Sequence, residues 1–133
     1  DSVEQVVYDY LKADAVFMAN FTAVYWMEAP ASITYPYIVL WQIDDDGAET
    51  LLNVTDSGEA RIQFDLWDNS KASGKNRGRR LRTTLRTKVK QLAETRGSYY
   101  VQTVGLNMVT MQRESATDPH HFVVDGIIKW HKV

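Results

Sequence analysis

The segment 70–91, SKASGKNRGRRLRTTLRTKVKQ, constrains the fold of this chain more than any other, because two periodicities run through it together. Gly74, Gly78, Leu81, Leu85, Val89 and Leu92 recur at steps of three or four, and the next step falls on Thr95. Lys71, Lys75, Arg79, Arg82, Arg86 and Lys90 recur in the same way, displaced around the axis. Steps of three and four return to one face of an α-helix. The spacing therefore predicts an amphipathic helix over about 71–95, with a glycine and leucine face toward a core and a lysine and arginine face toward solvent. A glycine inside a helix costs about 1 kcal/mol relative to alanine, but it lets the backbone approach a neighbour closely. Asn69 or Ser70 suits the N-cap, and Gly97 suits a left-handed position beyond the end. Lysines near a helix start oppose its dipole, so a partner outside the helix is expected to favour them.

The flanking sequence supplies the surface on which such a helix lies. ARIQFDLWDN alternates Ile62, Phe64 and Leu66 with Arg61, Gln63 and Asp65, the period-two pattern of a strand with one buried face. Further strands are expected from about Phe21 to Met27 and in ITYPYIVLWQI, where Pro36 stands near the beginning. GSYYVQTVGLNMVTMQRES and HHFVVDGIIKW form a closing hairpin around a turn-forming ESATDPHH. SVEQVVYDYLK places Val3, Val6, Val7, Tyr10 and Leu11 at helical spacing, with Ser2 and Gln5 as a capping box. Asp44 to Ala60 reads as an acidic loop or frayed hairpin. The expected fold is a single α+β domain over 1–133. An antiparallel or mixed sheet of four to five strands packs against the long helix, with a short N-terminal helix beside it.

Charge is divided along the chain. Net charge is only -2, yet ten basic residues lie between Lys71 and Arg96 against Glu94 alone, leaving five basic and sixteen acidic residues elsewhere. Nucleic-acid-binding domains are usually basic as a whole. A chain with opposed regions is equally suited to bind copies of itself. The hydrophobic content of 44% fits a folded globular chain. No apolar run approaches the roughly 20 residues of a membrane helix, so a soluble protein that needs no membrane is expected. The absence of cysteine removes disulfides and thiolate chemistry.

Recognisable catalytic and metal-binding patterns are missing. SGKNRG lacks the hydroxyl residue with which a phosphate loop holds magnesium. His120 and His121 are adjacent in a strand and point to opposite faces, so they are poorly placed to share an ion even with Asp118 and Asp125 nearby. Asp44, Asp45 and Asp46 lack the spaced ligands of a calcium loop. Trp26, Trp41, Trp67 and Trp130 sit in apolar strands and are expected in the core. The expectation is a non-enzymatic protein with no metal and no cofactor.

ITYPYIVLWQIDDD, ARIQFDLWDNS leading into the long helix, and HHFVVDGIIKW at the end together resemble the tail terminator, or tail completion, proteins of long-tailed bacteriophages. The family's helix usually carries mixed charge, whereas this one is almost purely basic. The resemblance implies a virion subunit assembled in the host cytoplasm and placed at the tail and neck. It implies a hexameric ring that caps the tail tube, ends tube polymerisation, and joins the tail tube protein to the head connector. DNA passing through the bore would be met without sequence preference. Lys71, Lys75, Arg79, Arg82, Arg86 and Lys90 are the candidate partner-binding cations, with Asp44, Asp45, Asp46 and Glu49 as their acidic counterparts. The competing reading is a nucleic-acid-binding module that sets the helix face on phosphates.

Overall fold

The computed structural model describes residues 2–50, 53–69, 74–111 and 119–133, without side chains at 44–50, 53–56, 74–76 and 111. The described fold is α+β, with helices on one face of a six-stranded mixed sheet. Helices α1 (Val3–Lys12) and α2 (Ala15–Met18) are followed by strands β1 (Ala23–Trp26), β2 (Tyr37–Thr50) and β3 (Asn53–Asp68). Helix α3 (Gly74–Lys90) then leads to β4 (Ala93–Arg96), β5 (Tyr99–Met111) and β6 (His120–Lys132). The strand order is β1-β2-β3-β6-β5-β4, with β1 parallel to β2 and every other pair antiparallel. No helix among the described residues is long and apolar enough to cross a membrane.

The alternation in β3 sets the core. Ala60, Ile62, Phe64 and Leu66 are fully buried, and across the ladder Phe122, Val124 and Ile128 of β6 turn the same way. α3 lies over them with Leu81, Leu85 and Val89 buried, as its spacing predicts. Gly78 permits the close approach: a Cβ built there would overlap the Phe122 ring. α1 closes the other end with Val3, Val6, Val7 and Leu11, after a start capped by Ser2, whose Oγ accepts from the Gln5 N–H at 3.1 Å.

Four expectations need correction. The long helix ends at Lys90, not near 95. Its last carbonyls are taken by other elements: the Tyr10 hydroxyl donates to the Lys88 carbonyl at 2.9 Å, and the Thr103 hydroxyl to that of Val89 at 2.6 Å. Ala93–Arg96 instead pairs with β5, and Gly97, at φ 57°, serves the turn between β4 and β5 rather than the helix end. That short edge strand raises the count to six. Of the two expectations for the acidic segment 44–60, a loop or a frayed hairpin, the described residues follow the hairpin. Its backbone continues β2 and β3 in register, from Asp44 opposite Arg61 to Thr50 opposite Asn53, with irregularities between Gln42 and Asp44 and between Ala48 and Thr50. Aspartate and glycine disfavour strands, but β3 is already held by β6 as far as Ser57, and that template carries β2 with it. Finally, only Trp130 of the four tryptophans is in the buried set, whereas Trp41 is 38% exposed.

Of the predicted caps, Asn69 is the last described residue before α3 and Ser70 lies, with 71–73, outside the described residues, as does 112–118 of the closing turn. β1 is shorter than the expected Phe21 to Met27.

The contact between Gly78 and Phe122 gives a sharp test. Alanine would gain helix propensity of about 1 kcal/mol, but overpacking costs typically 1–3 kcal/mol. Gly78→Ala should lower the urea midpoint, and Phe122→Leu added to it should recover part of the loss.

Candidate assembly site

α3 carries the basic stripe, but the fold uses its cations differently. Arg77 embraces Asp68, which is completely buried at the end of β3, through Nε at 3.0 Å and through Nη2. Lys88 donates to Asp14 at 2.8 Å and lies 4.1 Å from the centre of the Tyr10 ring. Asp14 in turn caps α2 by accepting from the Val16 and Phe17 N–H groups, and the Lys88 bond followed by these caps holds its carboxyl below the usual range. Arg82 is half-buried. It donates to the Thr110 hydroxyl at 2.6 Å and places its guanidinium 5.3 Å from the Phe122 ring centre.

Of the six predicted helix residues, Arg79 and Lys90 are exposed and Arg86 is half-exposed. None of these three has an acidic partner among the described residues. Lys75 lies in the first turn of α3 and Lys71 falls outside the described residues. The stripe thus divides into cations the fold consumes and cations it leaves free.

The acidic candidates lie in the outer part of β2. Asp44, Asp45 and Asp46 face Arg61, Ala60 and Glu59 in register, and Glu49 sits near the Ala48–Thr50 irregularity. β6 pairs with β3 only from Ser57 onward, and β1 pairs with β2 only through Leu40. Both limits are passed only at residues 49–50 and 53–56, where the two strands of the hairpin pair with each other alone; Asp44, Asp45 and Asp46 lie opposite Arg61, Ala60 and Glu59, which are still paired with β6. α3 returns along β3 toward the base of this hairpin, from Gly78 beside Phe122 to Val89 beside Gly126, and stops at Lys90. The hairpin continues past it.

The sheet face opposite α3 holds a polar hub that the sequence reading treated only as a wet face. Asp65 accepts from Trp41 Nε1 at 2.8 Å and Gln63 Nε2 at 2.9 Å, and His121 Nε2 lies at 2.9 Å. Trp67 stacks on His121 with ring centres 3.8 Å apart. Burial opposes ionisation of Asp65, but the bonds from His121, Gln63 and Trp41 outweigh it and hold the carboxyl below its ordinary value. His120 belongs to the other face, stacked near Phe122. No group of three or more potential metal ligands converges among the described residues.

The combination to be explained is a small α+β subunit with exposed cations on its long helix, an acidic sequence in the outer part of β2, and no converging ligand set among the described residues. A family model described as "Tail completion protein gp17" matches residues 5–128. The chain belongs to the tail completion protein gp17 family. A solved chain from the virion of a native gene transfer agent particle shares the fold at a TM-score of 0.62 and 18% identity, covering 98% of this chain and 94% of that one. The gp17 protein of bacteriophage SPP1 matches at a TM-score of 0.44 and 16% identity, covering 92% of this chain and 85% of that chain. No curated protein matches significantly. Membership gives this tail completion subunit a structural role in the assembly of a phage-type tail.

In this tail completion subunit the division among cations has measurable consequences. Removing one member of a buried ion pair strands the other and costs about 3–5 kcal/mol, whereas exposed surface changes stay within about 0.5 kcal/mol. Arg77→Ala should therefore unfold at much lower urea than wild type, while Arg79→Ala should be indistinguishable from it. A second outcome concerns acid. Because the folded Asp65 carboxyl is depressed, its contribution is present above the ordinary value of 3.8 and is lost as pH falls through the lower folded value. The stability difference between wild type and Asp65→Asn, measured by denaturant titration, should shrink as the pH is lowered below 3.8.

Proposed function

We propose that this subunit forms a closed ring, a hexamer by the family resemblance, that caps the finished tail tube. The ring stops further tube subunits from adding and presents the surface that meets the head connector. The observation that supports this reading is the separation, within one chain of a tail completion family, of two unlike segments: the free cations of α3 and the acidic sequence in the outer part of β2. Unlike surfaces on one subunit join copies head to tail, and a head-to-tail contact whose rotation closes generates a ring. The work is assembly rather than catalysis, and it calls for no cofactor.

The same cations support the second reading, a nucleic-acid-binding module. Binding of that kind releases counterions, so it weakens steeply with salt. A basic surface lining the bore would also slow DNA during ejection, which favours a position of α3 toward a neighbour or the outside of the ring.

Light scattering combined with negative-stain imaging tests the proposal. The expected result is annular particles at six times the 15.2 kDa chain mass. A monomer that retains duplex DNA at low salt and releases it as salt rises would replace the ring by the second reading.

A further inference from the structure

We infer that the subunits of the ring are joined through their sheets: strand β1 of one copy adds to the free edge of β5 of the next, beyond the point where β4 stops. This contact rests on the ring reading and names the backbone edges that join its subunits.

The outline of the sheet carries it first. β4 covers β5 only over 99–102, and the Thr103 N–H makes a last bond to the Leu92 carbonyl at 3.0 Å. Over 104–111, β5 pairs with β6 and with no other strand among the described residues. At the opposite edge, β1 pairs only with β2. Followed across the ladders, the rows of β1 run through 37–40 of β2, 64–67 of β3 and 121–124 of β6 to 108–111 of β5. The rows of β4 lead instead to 46–48 of β2. No row holds both β1 and β4, so one edge of the sheet is recessed where the other protrudes. Copies set side by side interlock, with β1 entering the recess that β4 leaves beside β5. β1, β2, β4 and β6 run one way and β3 and β5 the other, so the added pair is antiparallel.

The chemistry of the two edges carries it further. Exposed strand edges are ordinarily guarded by charge, proline or shortness. β4 follows that rule, with four residues that include Glu94 and Arg96. The free part of β5 does not: 104–111 holds no charged residue and no proline, and Val104, Met108 and Val109 are 49%, 39% and 43% exposed. Met108 shares a row and a face with Val124 of the core, and Val109 points to the opposite face beside Val123. A strand apolar on both faces has the pattern of one inside a sheet. β1 brings matching chemistry, since 20–27 carries no charge and Met27, just past its end, is 68% exposed. A strand added to such an edge gains main-chain hydrogen bonds along its length. The two edges are different, so each copy offers one and receives the other, as a ring requires.

The chain has no cysteine, so engineered thiols are the only ones present. Met27→Cys/Val109→Cys treated with a short bismaleimide should form a covalent ladder that ends at the ring. A mixture of the two single variants should stop at dimers, and each single variant alone should stay uncrosslinked. Met108→Lys/Val109→Lys sets charge on the edge and should weaken self-association in sedimentation by about tenfold or more, with the urea midpoint close to that of wild type. Crosslinked dimers of Val109→Cys alone would place β5 against β5 and overturn the contact. Rings of the double-cysteine variant that yield no ladder, or association of the double-lysine variant at the wild-type level, would overturn the contact while leaving the ring standing. A wild type that stays monomeric at all concentrations would overturn the ring and the contact together.

Discussion

β3 and β6 pair without a break from Ser57 opposite His131 to Asp68 opposite His120, and this ladder fixes the position of every other feature. On one face its inward residues receive Leu81, Leu85 and Val89 of α3, which turns the remaining sides of that helix away from the core. On the other face it brings Asp65 of β3 beside His121 of β6. At one end it buries Asp68, which selects Arg77 as a partner. At the other end the ladder stops at Ser57, and only residues 49–50 of β2 and 53–56 of β3 go on beyond it. The ladder therefore determines both what α3 must bury and how far the hairpin projects.

Elements governed by short-range periodicity were legible in the sequence. The core face of α3, the alternation of β3 and the Ser2 cap of α1 all follow from spacing and cap chemistry, and the structure places Leu81, Leu85 and Val89 inward as the spacing requires. Elements decided by distant partners were not legible. The helix pattern runs on to Thr95, but Tyr10 and Thr103, far away in sequence, take the carbonyls at its end, and β5 draws Ala93–Arg96 into the sheet. The acidic half of β2 was legible only as a choice between loop and frayed hairpin, and β3, held extended by β6, decides for the hairpin. Asp68 carried a usable signal: it continues the even-numbered inward series Ile62, Phe64, Leu66, and a carboxylate on that face requires a cation, which Arg77 supplies. The site residues were legible only as a charge pattern. Nothing in the spacing separates Arg79, which the fold leaves free, from Arg82, which it spends on Thr110 and Phe122.

That division changes what the basic segment means. Counted by sequence, the helix looks like a uniform cationic tract suited to any polyanion. In the fold, Arg77 and Lys88 stabilise the chain itself, one through a buried carboxylate and the other by joining α3 to the cap of α2. A polyanion gains little from cations that already hold carboxylates. What remain are Arg79, Arg80, Arg86 and Lys90, of which Arg79, Arg86 and Lys90 share one stripe about three helical turns long.

Exposed ion pairs are worth only about 0–1 kcal/mol each and are screened by salt. In the proposed ring, a few such pairs between subunits would therefore not hold it together by themselves. Complementary charge instead speeds encounter and fixes register. For the proposed ring, register matters first: a subunit that added to its neighbour in the wrong phase would leave the ring open and the tube uncapped. Within that proposed ring, like-charged contacts between two acidic segments or two α3 helices would be repelled, so the divided charge would favour a head-to-tail arrangement over symmetric dimers.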